Sequence, residues 1–239
     1  MEPVTPAPAG RLRVGDLDID VTVSPRRRTV RLTVERDASV TAVVPPGVDE
    51  DTLARLVRSK RRWLYAKLAE KQALAAERPD KEFVSGEGFS YLGRSYRLLI
   101  VEEAPEPVQL VRGRLRLRRD CLHDPARHLA HWYRRAGQRW LPPRAAPWAR
   151  RMAVPLGELR VRPLGYRWGS CSPDGNVNIH WATMQLSVDL VDYVLVHELA
   201  HVHQPNHGRE FWRLIERAMP DYEARRDLLT RAGARLWLP

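Results

Sequence analysis

Between residues 12 and 44 apolar and polar side chains alternate in short bursts. The segments LDIDVTV, TVRLTVE and SVTAVV each place every second residue on one face, the period of a half-buried strand, and polar turns separate them. Pro45-Pro46-Gly47 ends the third. From Asp49 to about Glu77 the period becomes helical: Leu53, Leu56, Val57, Leu64 and Leu68 recur on one side, while Arg58, Lys60, Arg61, Arg62 and Lys67 occupy the others. One long basic helix is expected there. Residues 82–119 return to strand-like segments in FSYLG, YRLLIVE, VQLVRG and RLRLRR.

Asp124-Pro125 combines a capping side chain with proline at the first helical position, so a helix should start there. It should stop near Leu141, at Pro142-Pro143, with a further short helix through residues 148–152. A strand is expected near 159–163, a tight turn of small residues at Trp168-Gly169-Ser170-Cys171, and a strand over 176–183. Ser187 is placed to cap the helix that carries the most informative residues in the chain. No internal repeat is evident. The organisation read from this is a Pro-rich disordered tail (1–9), a β-rich N-terminal part carrying the long helix (10–120) and a second domain (121–239), in an α+β class.

Composition narrows the partners. The 239 residues include no apolar run of the roughly 18 that a membrane span needs. MEPVTPAPAG carries neither a basic n-region nor an apolar h-region, and two cysteines, Cys121 and Cys171, make no disulfide framework. A cytoplasmic protein without membrane association is expected. Forty Lys+Arg against 29 Asp+Glu give a net charge of +11. That excess attracts polyanions, so nucleic acid or nucleotide is a candidate partner, with Lys60, Arg61 and Arg62 beside Trp63 as candidate phosphate contacts. The competing reading is an Arg-rich solvated face.

The informative chemistry lies in VDYVLVHELAHVHQPNH, residues 191–207. His197 and His201 sit one helical turn apart on one face, where both imidazoles can reach a single cation. The intervening Glu198 is placed to take a proton from a water at that site. His207 can return as a third ligand after Pro205-Asn206 ends the helix; Glu210 and Glu216 are its rivals. Three ligands with an open position describe a catalytic zinc, whereas a structural zinc has four. His203 falls on another part of the helix and reads as packing or surface. Cys171 could be a fourth ligand or a small buried apolar group, and His123, His128 and His131 could mark a second metal site or ordinary surface.

RWGSC, NVNIHW, DYVLVHELAH, NHGREFW and MPDY, together with upstream RRRTVRLTVE, VPPGV, KRRW and SGEGFSYLGRSYRL, resemble the YgjP-like metallopeptidase family, which is related to the SprT-like zinc peptidases. The resemblance spans residues 20–230. It implies one Zn2+ per chain at His197, His201 and His207, Glu198 as general base, and a zincin-like α+β core preceded by a β-rich part. In such cores a peptide commonly adds to the edge strand before the active-site helix. Residues 176–183 would be that strand, with Asn176, Asn178 and His180 as substrate contacts. Arg167, Tyr166 and His180 are candidates for stabilising the developing oxyanion. The spacing of the three histidines is also that of metzincins, but Gln204 stands where those enzymes have glycine, and Met219-Pro220 reads as the start of a terminal helix. The expected function is a zinc metallopeptidase acting on a peptide or protein. A nucleoside triphosphate hydrolase using the same zinc, and a nucleic-acid-binding module with structural zinc, are the alternatives.

Overall fold

The alternation of residues 12–44 becomes a four-stranded sheet in a computed structural model that describes residues 10–35, 38–75, 80–165 and 167–237. The tail read at 1–9 lies outside those residues. The strands are β1 (Gly10–Val14), β2 (Leu17–Val23), β3 (Arg31–Val34) and β4 (Val40–Val44), in the order β1-β2-β4-β3. β2 and β4 run parallel, and the two outer pairs are antiparallel. Leu17, Ile19 and Val21 on β2 face a core that Val40, Ala42 and Val44 complete from β4, while Asp18 and Asp20 stay exposed. β1 was not expected. Its arginines at 11 and 13 leave only Leu12 and Val14 to signal an inward face.

The single long helix is two helices, α1 (Glu50–Ser59) and α2 (Arg61–Ala75). The Lys60 N–H is shared between the carbonyls of Leu56 and Val57, both at 3.1 Å, which tightens the turn and ends α1. Asp49 caps α1 by accepting the Thr52 N–H at 2.6 Å. Leu53, Val57 and Leu64 complete the core of this first unit, Met1–Arg78.

The second unit is Pro79–Pro239, so the division falls near 78 and not near 120. Its first sheet, β5 (Gly88–Tyr91), β6 (Arg94–Val101), β7 (Val108–Val111) and β8 (Arg114–Arg118), belongs with the helices that follow it. The order β5-β6-β8-β7 and the sense of each pairing reproduce those of β1–β4. The chain therefore does contain a repeat, one of topology carried by different residues. Leu92 (φ 48°) and Gly93 (φ 78°) make the β5–β6 turn, which needs left-handed backbone at both positions.

α3 (Pro125–Arg151) is one helix of 27 residues with Pro142, Pro143 and Pro147 inside it, where two shorter helices were expected. Each proline removes one backbone bond. Tertiary packing offsets the loss: Leu129, Tyr133, Leu141, Ala145 and Ala149 are buried along its length. Arg144, beside the prolines, donates from Nε to Asp192 at 2.7 Å and pairs bidentately with that buried carboxylate. The Tyr133 hydroxyl donates to the Ser90 carbonyl at 2.7 Å, tying α3 to β5.

β9 (Leu159–Arg162), β10 (Gly169–Cys171) and β11 (Val177–His180) form a small sheet in the order β10-β11-β9. Three further helices follow, α4 (Val188–His203), α5 (Arg209–Ala218) and α6 (Tyr222–Ala234). Two expectations change here. Residues 169–171 are a strand and not a turn. The strand expected over 176–183 is shorter, gives way to a 3-10 helix at Trp181–Gln185, and is central in the sheet. α6 begins just past Met219-Pro220, as expected. α4 packs against α3, α5, α6 and β10. No helix among the described residues is long and apolar enough to cross a membrane.

Candidate metal centre

α4 is buried around most of its circumference from Leu190 to Val196, which fixes the rotation of the turn that follows. His197 and His201 then emerge on one side, ring centroids 5.1 Å apart. The helix ends at Gln204, whose backbone is extended (φ −134°, ψ 101°), and Pro205 cannot continue it. The chain turns back through a Gly208 N–H to Asn206 carbonyl bond of 2.8 Å. This brings the His207 ring to 5.0 Å from His197 and 4.8 Å from His201. Phe211 from α5 packs against all three imidazoles, with centroids 5.0, 4.7 and 4.7 Å away. Trp212 stacks on His207 at 5.9 Å, with Tyr222 stacked on Trp212 at 5.6 Å.

One nitrogen from each histidine lies within 4.8 Å of the others, the one such group of three His, Cys, Asp or Glu donors among the described residues. Nε2 of His197 and Nε2 of His207 are 3.0 Å apart. Two nitrogens at 2.0–2.1 Å from a tetrahedral ion would be about 3.3 Å apart, so the cluster fits a zinc-sized cation with little adjustment. His201 Nδ1 donates to the Gln204 carbonyl at 3.1 Å, which leaves Nε2 as its ligand atom. Burial, reinforced by neighbouring His201 and His207, pushes the His197 imidazole down to about 3. His197 is therefore neutral near pH 7, the form that binds a metal.

Glu198 is 6% exposed and faces β10. A methyl group on Gly169 would lie 2.6 Å from its Cγ, so the bare glycine is what admits the carboxylate. Burial pushes the Glu198 carboxyl up to about 8 against the opposing pull of Arg167. Cys171 is not in the metal group. Its thiol, pushed up to about 11 by burial and then by Glu198, donates to the Ser172 carbonyl at 3.4 Å.

The remaining candidates take other places. Glu210 pairs with Arg213 at 2.7 Å, Glu216 is exposed, and neither joins the histidines. His203 Nε2 donates to the Met152 carbonyl at 3.2 Å and ties α4 to the end of α3. Asn176 lies in the turn before β11, where its Oδ1 accepts the Glu158 N–H at 2.8 Å. Asn178 donates to Ser170 Oγ at 3.3 Å, and buried His180 accepts the Ala182 N–H at its Nδ1 at 3.1 Å. Asn176 and Asn178 join segments of the sheet, His180 caps the 3-10 helix that follows it, and β11 is paired on both sides and offers no open edge. Arg167 is exposed, with its charge acting on Glu198; Tyr166 lies outside the described residues. In the first unit Lys60, Arg61 and Arg62 are all exposed, and Arg61 alone of the three lies near a carboxylate, 4.0 Å from Asp16, and over the Tyr65 ring at 5.2 Å.

Sequence reasoning missed Gly169, Phe211 and Trp212 as parts of the centre. The apolar pair in NHGREFW, at helical spacing from Ile215, was the available signal for α5.

The family model for the YgjP-like metallopeptidase domain matches residues 28–232. Among solved structures, the metallopeptidase zymogen of Pyrococcus abyssi abylysin is similar at 24% identity and a TM-score of 0.35, over 39% of this chain and 95% of that one. The comparison with curated proteins found no match.

Proposed function

We propose, from the premise that the chain belongs to the YgjP-like metallopeptidase family, that it hydrolyses peptide bonds with one zinc held by His197, His201 and His207 and with Glu198 as general base. The observation that carries the reading is the convergence of three imidazole nitrogens within 4.8 Å, next in the chain to a buried carboxylate. Zinc, when bound, supplies a Lewis acid for the scissile carbonyl and the attacking water. Glu198 takes a proton from that water and returns it to the leaving amine nitrogen. An extended substrate pairs with β10, the sheet edge that carries Gly169 beside Glu198, which replaces the edge role first read for residues 176–183. No fourth donor joins the histidines among the described residues, which speaks for a catalytic site over a structural one. For the first unit the reading is a polyanion contact, supported by exposed Lys60 and Arg62 beside exposed Trp63.

Zinc-loaded protein incubated with unfolded casein should release peptides. Glu198→Gln should keep its zinc and lose about 10²–10⁴ of the rate, and His207→Ala should lose the metal. Intact casein, with phosphate or pyrophosphate released from nucleoside triphosphates, would overturn the peptidase reading.

A further inference from the structure

A cleft of about 630 Å³ opens beside the first half of α3, between it and the end of β8. Such a volume suits a small molecule. No residue lining it belongs to α4 or α5, so it is separate from the histidine centre. Arg127, His131 and Arg134 lie at i, i+4 and i+7 along α3 and line the cleft as one stripe. The two arginines are thus two turns, about 10 Å, apart along the helix axis. His128 also lines the cleft, one turn before His131. Arg118 and His123 line it as well.

Most of the negative charge nearby is committed, and Asp124 caps α3 by accepting the Arg127 N–H at 3.3 Å. Asp120, the one carboxylate lining the cleft, accepts from Arg118 Nε at 2.7 Å and from the Cys121 thiol at 3.3 Å. Glu106 takes Arg135, the residue after Arg134, at 2.6 Å. No carboxylate among the described residues pairs with Arg127 or Arg134. The histidines do not gather into a metal site, and the arginines around them would repel a cation. Partial burial, then the charges of Arg134, Arg135 and His128, holds the His131 imidazole below its usual range. Trp181 and Pro163 add apolar wall. Each uncommitted guanidinium can give two parallel N–H bonds to one phosphate or carboxylate, and the surrounding positive charge favours the more highly charged phosphate.

We propose that this cleft binds a small molecule carrying two phosphate groups, one held by Arg127 and the other by Arg134, with His128 and His131 hydrogen-bonding between them. The site is independent of the peptidase reading and performs no chemistry.

Calorimetric titration of the zinc-loaded full chain tests it, with fructose 1,6-bisphosphate, inorganic phosphate, adipate and a single-stranded oligonucleotide as probes at fixed ionic strength. The bisphosphate should bind one to one and about tenfold or more tighter than phosphate or adipate. Arg127→Ser with Arg134→Ser should weaken it about a hundredfold, while the charge-matched control Arg94→Ser with Arg114→Ser leaves it unchanged. In the unmutated protein the imidazole NMR signals of His128 and His131 should shift on titration, and those of His197, His201 and His207 should not. The proposal is overturned if the bisphosphate does not bind, if the control pair weakens it equally, if adipate or phosphate binds as tightly, or if the metal-centre signals are the ones that move. Oligonucleotide binding with the same arginine dependence, in place of the bisphosphate, would also overturn it.

Discussion

A methyl group at position 169 would collide with Glu198, so a residue with no side chain controls where the carboxylate sits. Gly169→Ala should keep zinc content at the wild-type level while casein cleavage falls about 10²-fold, since displacements of about an ångström in a catalytic group cost that much. Wild-type activity in this variant would show that the carboxylate tolerates displacement. Glu198 also sets a pH dependence in the metal-free chain. Its folded pKa, about 8, lies above the ordinary carboxylate value of 4.5, so the native state holds the proton more tightly than the unfolded state. Its contribution to stability is fully present below pH 4.5 and is lost as the pH rises toward 8. At about 1.36 kcal/mol per pH unit the loss is on the order of 3 kcal/mol by pH 7. Without metal, Glu198→Gln should therefore match the wild-type melting temperature at pH 4 and exceed it progressively up to pH 8. Parallel melting curves across that range would show that Glu198 is not desolvated.

At the scale of elements, legibility followed the range of the interaction that decides each one. The turn of α4 that presents His197 and His201 could be read because a four-residue spacing is local. The return of His207 was readable from Pro205. α3 was read short because proline is a local signal, while the packing of Leu141 and Ala145 and the Arg144–Asp192 pair that override it involve residues far apart in sequence. The position of β11 in its sheet was illegible for the same reason: β9 and β10 flank it only after folding. In the basic segment, charge alone did not distinguish Arg61, which Asp16 and Tyr65 hold, from Lys60 and Arg62. Lys60→Ser and Arg62→Ser should each reduce salt-sensitive binding of single-stranded DNA more than Arg61→Ser does, in gel shifts at two salt concentrations. Equal losses, or no salt-sensitive binding by the wild type at low ionic strength, would mark the segment as a solvated face.

At the scale of the whole molecule the chain carries two separate hydrophobic cores, one in each unit. The histidine cluster that could hold a metal belongs to the second. Calorimetry of the zinc-loaded chain should show two transitions, and a chelator should lower only one of them, because a ligand stabilises the unit whose native state binds it. A chelator that shifts both equally would mean that the units unfold together. The repeated topology of β1–β4 and β5–β8 also belongs to this scale. Strand order and direction are shared while the side chains differ, so no residue pattern carried it.

By itself the sequence determined the class of chemistry, an HExxH with a later histidine, together with the alternation of the strands and the cap at Asp124. These depend on neighbours within a few residues, where spacing translates directly into direction. Only the tertiary structure decided that residues 169–171 are the sheet edge, that Gly169 makes room for Glu198, that Phe211 and Trp212 back the histidines, and which basic residues are already paired. Those outcomes depend on segments tens of residues apart being packed together, and close packing, unlike periodicity, leaves no mark on the local order of residues.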